Sequence, residues 1–376
     1  MTLLDSYLLR KILIPFLYCV MGFISVWLVW DLSANLPDFL TGHATFTQVA
    51  RFYLLQLPSV LMLSIPVGLL LSLLYTLTQM SRRNEIISML CAGRSLQRIF
   101  LPLIAVGFLG TGLLVVLNHS MAPQAGALRD VMKEEIKTHK KQARGIVNNH
   151  LYRNREDRRL WFFTLIDRDG NKAERVEILQ QDESGAVKEK WYGQQAVFIP
   201  ETGTWILLQA RHVIVDGEGN LVSSESSPRL EIPGWHETPW KIASSTMNPE
   251  FLGIPELDDY LRYNAEFPEA RLAPFVTHWH YRWALPWVCL VVVFLAGPLG
   301  IVNGRRGIMG GVAGAIALFA GLIFSSSLFL ALGKGDRIPG WMASWGPIAV
   351  FLAIGLWLFW LKATGRELPR LRLPGF

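Results

Sequence analysis

The chain has 376 residues, 51% hydrophobic and only 18% charged, with mean hydropathy +0.30. That is too apolar for an ordinary soluble protein, and the length suggests two or three domains. The net charge of +6 is no nucleic-acid signature, because basic and aromatic residues do not interleave as they do in single-strand binders.

Residues 2–11 form a polar lead-in to a first apolar stretch, Ile12–Trp30. Five more follow: Pro58–Met80, Ile99–Leu117, Trp283–Val302, Ile308–Leu332 and Trp341–Leu361. None contains Lys, Arg, Asp or Glu. Each is long enough to cross a hydrocarbon core of about 30 Å, which takes about 20 helical residues. In lipid they must be helical, since nothing there satisfies free backbone groups. The first is read as a retained helix, because no small-residue cleavage site follows it. Residues 31–57 are expected to be a connection, with Asp31, Asp38 and Arg51 in it.

Between the second and third stretches, Ser81 to Arg98 predicts a surface helix, capped by Ser81, with Glu85 suited to the helix dipole. Ile86, Ile87, Met89 and Leu90 give it an apolar face, and Gly93 ends it. By pattern alone it is either a lever seated in a partner or an ordinary interfacial helix.

After the third stretch, Gln124 to Gln142 predicts an exposed helix, and the basic run Lys133 to Arg144 reads as its solvated face. Strands are then predicted at Ile146–Leu151, Leu160–Ile166, Glu174–Leu179, Gln195–Ile199, Thr204–Leu208 and His212–Val215. The turns between them are Asp169-Gly170-Asn171, Glu201-Thr202-Gly203 and Asp216-Gly217-Glu218-Gly219, a spacing that suggests a sandwich or jelly roll. A short helix opens at Ile254-Pro255 and leads back to the fourth stretch. The fourth and fifth are joined by a tight turn, Asn303-Gly304-Arg305-Arg306-Gly307. The domains are therefore 1–123, carrying three spans and the surface helix at about 81–95; 124–275, all-β with flanking helices; and 276–376, three spans and a basic tail.

Basic residues set the orientation. Arg10, Lys11, Arg82, Arg83, Arg94, Arg98, Arg305, Arg306, Lys362, Arg366, Arg370 and Arg372 lie on one side; Arg51, Lys334 and Arg337 lie on the other, twelve against three. Both termini are expected in the cytoplasm, and residues from about 120 to 280 outside it. From Arg129 to Arg271 there are 20 Lys and Arg against 24 Asp and Glu, a balance of −4 that leaves +10 for the remainder. The three cysteines, Cys19, Cys91 and Cys289, fall outside the β region, which must fold without disulfides.

Gln79-Met80-Ser81-Arg82-Arg83-Asn84-Glu85-Ile86, then Ala92-Gly93-Arg94-Ser95, resembles the surface loop of the lipopolysaccharide-export permease family LptF/LptG. Leu3–Arg10 resembles that family's opening. His280–Pro286 resembles the approach to its fourth span, and Pro298-Leu299-Gly300-Ile301 with Gly304–Gly307 its following turn. The resemblance implies a six-helix inner-membrane protein with an inserted periplasmic jelly roll, a non-catalytic subunit of an ABC transporter. It implies a second, paralogous permease, a cytoplasmic ATPase dimer, and jelly-roll bridge proteins of the LptC/LptA kind that receive the lipopolysaccharide. It assigns ATPase coupling to Glu85, with Arg82, Arg83, Asn84, Gly93 and Arg94 beside it. Basic residues at the outer end of the first span, found in some members, are replaced here by Asp31 and Asp38.

Arg51, Lys334 and Arg337 are candidate contacts for anionic headgroups or plain snorkelling cations. Trp27, Trp30, Phe319 and Phe324 are candidates to line an acyl-chain cavity. His278-Trp279-His280 lacks a further ligand at metal-site spacing, and no metal or other cofactor is expected. No Gly-x-x-x-x-Gly-Lys-Ser/Thr is present, so ATP hydrolysis is expected in a partner. A regulatory permease or docking subunit that moves no lipid is the alternative.

Overall fold

A computed structural model describes residues 3–138, 146–154, 157–167, 170–182, 185–216, 220–235, 237–244, 248–265, 267–301 and 307–364. The expected Arg305, Arg306 turn and the basic tail from Arg366 lie outside the described residues, as do residues 139–144 of the basic run. The chain forms two compact units, Met1–His139 with Pro249–Phe376, and Lys140–Asn248.

The first unit is helical: α1 (Leu3–Thr41), α2 (Phe46–Arg82), α3 (Glu85–Cys91), α4 (Leu96–Val116), α5 (Ala122–Thr138), and, after the β unit, α7 (Ile254–Tyr263), α8 (Glu269–Ala284), α9 (Val288–Gly300), α10 (Gly307–Lys334) and α11 (Gly340–Ala363). The label α6 belongs to Pro239–Ser244 in the second unit. Among the described residues, six helical stretches are long and apolar enough to cross a membrane. The fourth is α8 and α9, joined through a 3₁₀ turn at Leu285–Trp287. α9 is apolar all round, as a helix buried on every side must be; all its residues except Leu299 are buried. Around it pack Leu69, Leu73 and Leu77 of α2 and Phe100 and Leu103 of α4, all at most 1% exposed.

The expected connection at 31–57 is far shorter. α1 runs on to Thr41 and α2 begins at Phe46. Asp31, Asn35 and Asp38 look like loop residues but sit on helix, because partners on α5 satisfy them. The turn is closed by Gly42 and Ala44 N–H groups donating to the Asp38 and Phe39 carbonyls at 3.0 and 2.9 Å. A Cβ on Gly42 would run into the Ile136 carbonyl, so α5 approaches here only because the residue is glycine.

The second unit is one six-stranded antiparallel sheet in chain order: β1 (Ile146–Asn154), β2 (Arg159–Asp167), β3 (Lys172–Gln181), β4 (Val187–Ile199), β5 (Thr204–Val215) and β6 (Leu221–Ile232). The two predicted strands at 204–208 and 212–215 are one strand, β5. β6 was not anticipated, because its Ser-rich, mostly exposed sequence carries no apolar alternation.

Inward positions run Trp161, Phe163 and then Ile166 on β2; Ala173 and then Val176, Ile178 on β3; Gly193 and then Ala196, Phe198 on β4; Trp205, Leu207 and then Ala210 on β5. Each of these four strands has one step of three in an alternation of two. The steps align: residues 149, 164, 175, 194, 209 and 228 face one another across the sheet, and every register passes over that row. Arg175 and Gln209 adopt positive φ there, +48° and +51°. Because β2 to β5 carry the extra residue at one level, pairing stays in register and the sheet creases.

The crease folds the sheet on itself. Trp161 shares a cross-sheet row with Ile178, Trp191 and His212. On a flat sheet Trp205, seven residues along β5 from His212, would lie roughly 23 Å from that row at about 3.3 Å per residue. The rings of Trp161 and Trp205 are 5.1 Å apart. The two layers of the expected sandwich are thus halves of one sheet, with each strand joined to its neighbour rather than by the crossings of a Greek key.

Candidate functional site

At one end of the helical unit, α2 stops at Arg82 and the chain reverses through Asn84, whose φ is +58°. Ser81 is therefore not the cap of the following helix. It lies inside α2, its hydroxyl 3.5 Å from the Gly300 carbonyl. α3 is only seven residues long and starts at Glu85. It ends at Gly93, φ +81°, with Gly93 N–H donating to Leu90 O and Arg94 N–H to Met89 O at 3.0 and 3.2 Å. This is the αL stop that glycine allows without strain. Ile86 and Met89 face the helical core, while Ile87, Leu90 and Cys91 are exposed beside the exposed Arg82, Arg83 and Arg94. The face presented is apolar with a basic rim.

Glu85 is not free on that face. Lys11 Nζ donates to its two oxygens at 2.8 and 2.6 Å, and the Tyr7 hydroxyl donates at 3.0 Å. A second tie, Arg98 to Asp5 at 3.0 Å, holds α4 to the start of α1. Burial pushes the Glu85 carboxyl up, but the hydrogen bonds from Lys11 and Tyr7 outweigh it and bring its pKa below the ordinary value. A depressed folded-state pKa means that the tie contributes fully above about pH 4.5 and is lost as pH falls through the folded value. Both side chains are about one-fifth exposed, 22% and 20%, so the tie contributes about 1 kcal/mol. Hydrogen exchange of α3 amides, corrected for intrinsic rates, should accelerate as pH falls below about 4.5. Lys11→Met should weaken that dependence, leaving only the Tyr7 hydrogen bond.

The other end carries a second charged site. Asp31, Asn35 and Asp38 recur at spacings of four and three on α1, and Arg129 and Lys133 at four on α5. Arg129 donates to Asp31 Oδ1 at 3.1 Å; Lys133 donates to Asn35 Oδ1 at 2.8 Å and lies 3.1 Å from Asp38 Oδ2. Asn35 also donates to Asp31 Oδ2 at 3.0 Å. The acidic end of the first span is thereby neutralised from α5, and Lys133 belongs to this lattice instead of a solvated face. The matching spacings on two helices were the signal available in the sequence.

The third and fourth spans are joined by a buried clasp. The helix after α4 widens into a π turn at Leu117–Met121, a form common at functional sites. Asn118 in it donates to the Arg282 carbonyl at 2.5 Å and accepts from Arg282 Nη1 at 3.0 Å. Arg282 Nη2 reaches the Glu250 carbonyl at 2.5 Å, and Lys334 Nζ the Glu250 carboxylate at 2.5 Å. The hydrogen bond from Lys334 lowers the Glu250 pKa. Arg282 looks like a span boundary in the sequence but lies inside the fourth helical stretch, 8% exposed.

The remaining candidates separate. Trp27 packs edge-on to Tyr53, with ring centroids 5.9 Å apart. Phe319 is 8% exposed in the helical core, whereas Trp30 and Phe324 are 68% and 72% exposed. Arg51 and Arg337 are exposed; Lys334 is committed to Glu250. The first and fifth spans are the least covered of the six, 11% and 17% buried, against 78% for the fourth.

A family model described as lipopolysaccharide export system permease LptF/LptG matches residues 6–361. No curated protein matches the chain.

Proposed function

The chain belongs to that family, the lipopolysaccharide export system permeases LptF/LptG, and from this premise we propose how its geometry serves export. It is a multi-pass inner-membrane permease subunit without a catalytic site of its own. Both termini, α3 and the basic rim face the cytoplasm, and residues 140–248 stand in the periplasm. A partner ATPase dimer seats α3; a second permease completes the cavity; periplasmic jelly-roll proteins receive the lipid.

The observation that carries this reading is the uneven cover of the spans. Helices one and five leave most of their surface open, Trp30 and Phe324 included. In water such surfaces would be a liability; in a membrane they suit a partner permease and the acyl chains held between. Extracting those chains into water would cost about 0.8 kcal/mol per CH₂, so an apolar path into the β unit is what the task requires.

Photoreactive residues at Trp30 and Phe324 should form lipopolysaccharide adducts whose yield depends on ATPase turnover. Adducts to protein alone would favour a permease that transmits force without moving lipid. The seat of the ATPase is tested separately. Glu85→Lys should cut its co-purification about tenfold, the effect of roughly 1.4 kcal/mol, and leave membrane insertion unchanged. Lys11→Met should be mild if Glu85 contacts the ATPase directly; an equal loss would mean that Glu85 only pins α3 to α1.

A further inference from the structure

The seam of the folded sheet is closed by the chain itself. After β6 ends at Ile232, residues 233–235 and 237–244 pass across the inward face to the opposite edge, where α6 packs against β1 and β2. Ile242 and Ala243 are wholly buried there, in the same core as Trp161, Phe163, Ile178 and Trp205. Trp235 sits edge-on to both Trp161 and Trp191, with centroids 5.3 Å away in each case.

The fastening is polar. The Glu237 carboxylate is 0% exposed and accepts from Arg159 Nη1 and Asn154 Nδ2, each at 2.8 Å. Its carbonyl accepts from Trp205 Nε1 at 2.6 Å. The Arg159 guanidinium lies over the Trp235 ring at 4.7 Å. Apolar residues would fill such a seam at no desolvation cost. Arg159 Nη2 also pairs with Asp157 Oδ2 at 2.8 Å, so the group is a triad on one guanidinium. A buried ion pair is a poor source of stability, but losing its fully buried member is costly. That is the energetics of a latch. The closed state is also imperfect, since Trp161 Nε1 and Arg159 Nε are buried without a partner, each costing about 1–3 kcal/mol.

We propose that residues 233–235 and 237–244 are a displaceable strap, latched by Glu237 on Arg159, that fills the tryptophan-lined interior of the β unit and swings out when an acyl chain takes its place. This rests on the export reading above. The interior is apolar where Ile242, Ala243 and Trp235 now lie, and the two unused donors lie beside it, able to meet acceptor oxygens of an incoming lipid. An unloaded groove is thus never open to water. The strap leaves only under competition from apolar chains.

The test uses the full chain, with its co-purifying subunits, in vesicles containing lipopolysaccharide. In Glu237→Gln, amides of 238–244 should exchange about tenfold or more faster, with β2 to β5 unchanged. A photoreactive benzoylphenylalanine at Phe163 should give severalfold more lipid adduct in that background. Ile242→Ser, which weakens the strap and spares the ion pair, should behave alike; it serves if Glu237→Gln does not fold. Lipid adducts indifferent to both substitutions would overturn the strap and leave the export reading standing. A strap that opens without any lipid adduct would overturn acyl occupancy and, with it, export through this interior.

Discussion

Asp31→Lys should destabilise the helical unit by about 3 kcal/mol, and combining it with Arg129→Glu should recover most of the loss. Asp31 is 3% exposed by side chain and faces Arg129, which is 38% exposed. Removing one partner of a fully buried pair costs about 3–5 kcal/mol. Water reaching Arg129 reduces that to about 2 kcal/mol for Asp31→Ala. Lysine instead of alanine adds repulsion from Arg129 and from Lys133, which is already held by Asn35 and Asp38. The double-mutant cycle isolates the pair from the loss of helix packing. Thermal unfolding in detergent reads the stability, and proteolysis within α5 reads whether that helix has detached. Failure of the charge swap to recover stability would show that Asp31 acts through something other than Arg129. α5 follows the third span and precedes β1 in the chain, so the lattice ties the least covered span to that helix.

Deleting Gln209 should abolish the fold of the β unit while the six spans still insert. Gln209 is the step of three in β5: Trp205 and Leu207 point inward before it, Ala210 after it. Without it, one half of the strand must turn its inward residues outward. Trp205 and Leu207 are both 0% exposed, and exposing a large apolar side chain costs about 1.5–3 kcal/mol. β5 would also lose its match with β4 and β6, whose registers hold constant past residues 194 and 228. The sum rivals the 5–15 kcal/mol that holds a whole domain together. Gln209→Gly is the control: it keeps the extra residue and suits the positive φ, so its stability should be close to that of the natural chain or above it. Rapid protease digestion of 146–244 in the deletion variant, against resistance in Gln209→Gly, is the expected pattern. Equal resistance would mean that the crease is not set by residue count.

Charge-free apolar stretches had only one structural solution in lipid, so the spans could be read from the chain alone. The helix stop at Gly93 and the turn at Glu201-Thr202-Gly203 were equally legible, because glycine at positive φ acts within a few residues. The extra residue in each of four strands was also there to be read, as a break in alternation, but a single break does not reveal that all fall on one line.

What the order of residues determined by itself was therefore local: which segments are helix, where most strands begin, and which family the loop Ser81–Ser95 resembles. Tertiary structure alone decided the long-range matters. Asp31 and Asp38 became helix residues because Arg129 and Lys133 meet them from α5. Glu85 became tied because Lys11 lies beside it. One sheet became two layers because the steps of four neighbouring strands coincide. The physical reason is common to all three: a charge or a strand is settled by its partner, and these partners lie beyond the reach of any local pattern, 74 and 98 residues apart for the Glu85 and Asp31 pairs. Spacing on each helix constrains which residues can pair; only packing chooses the pair.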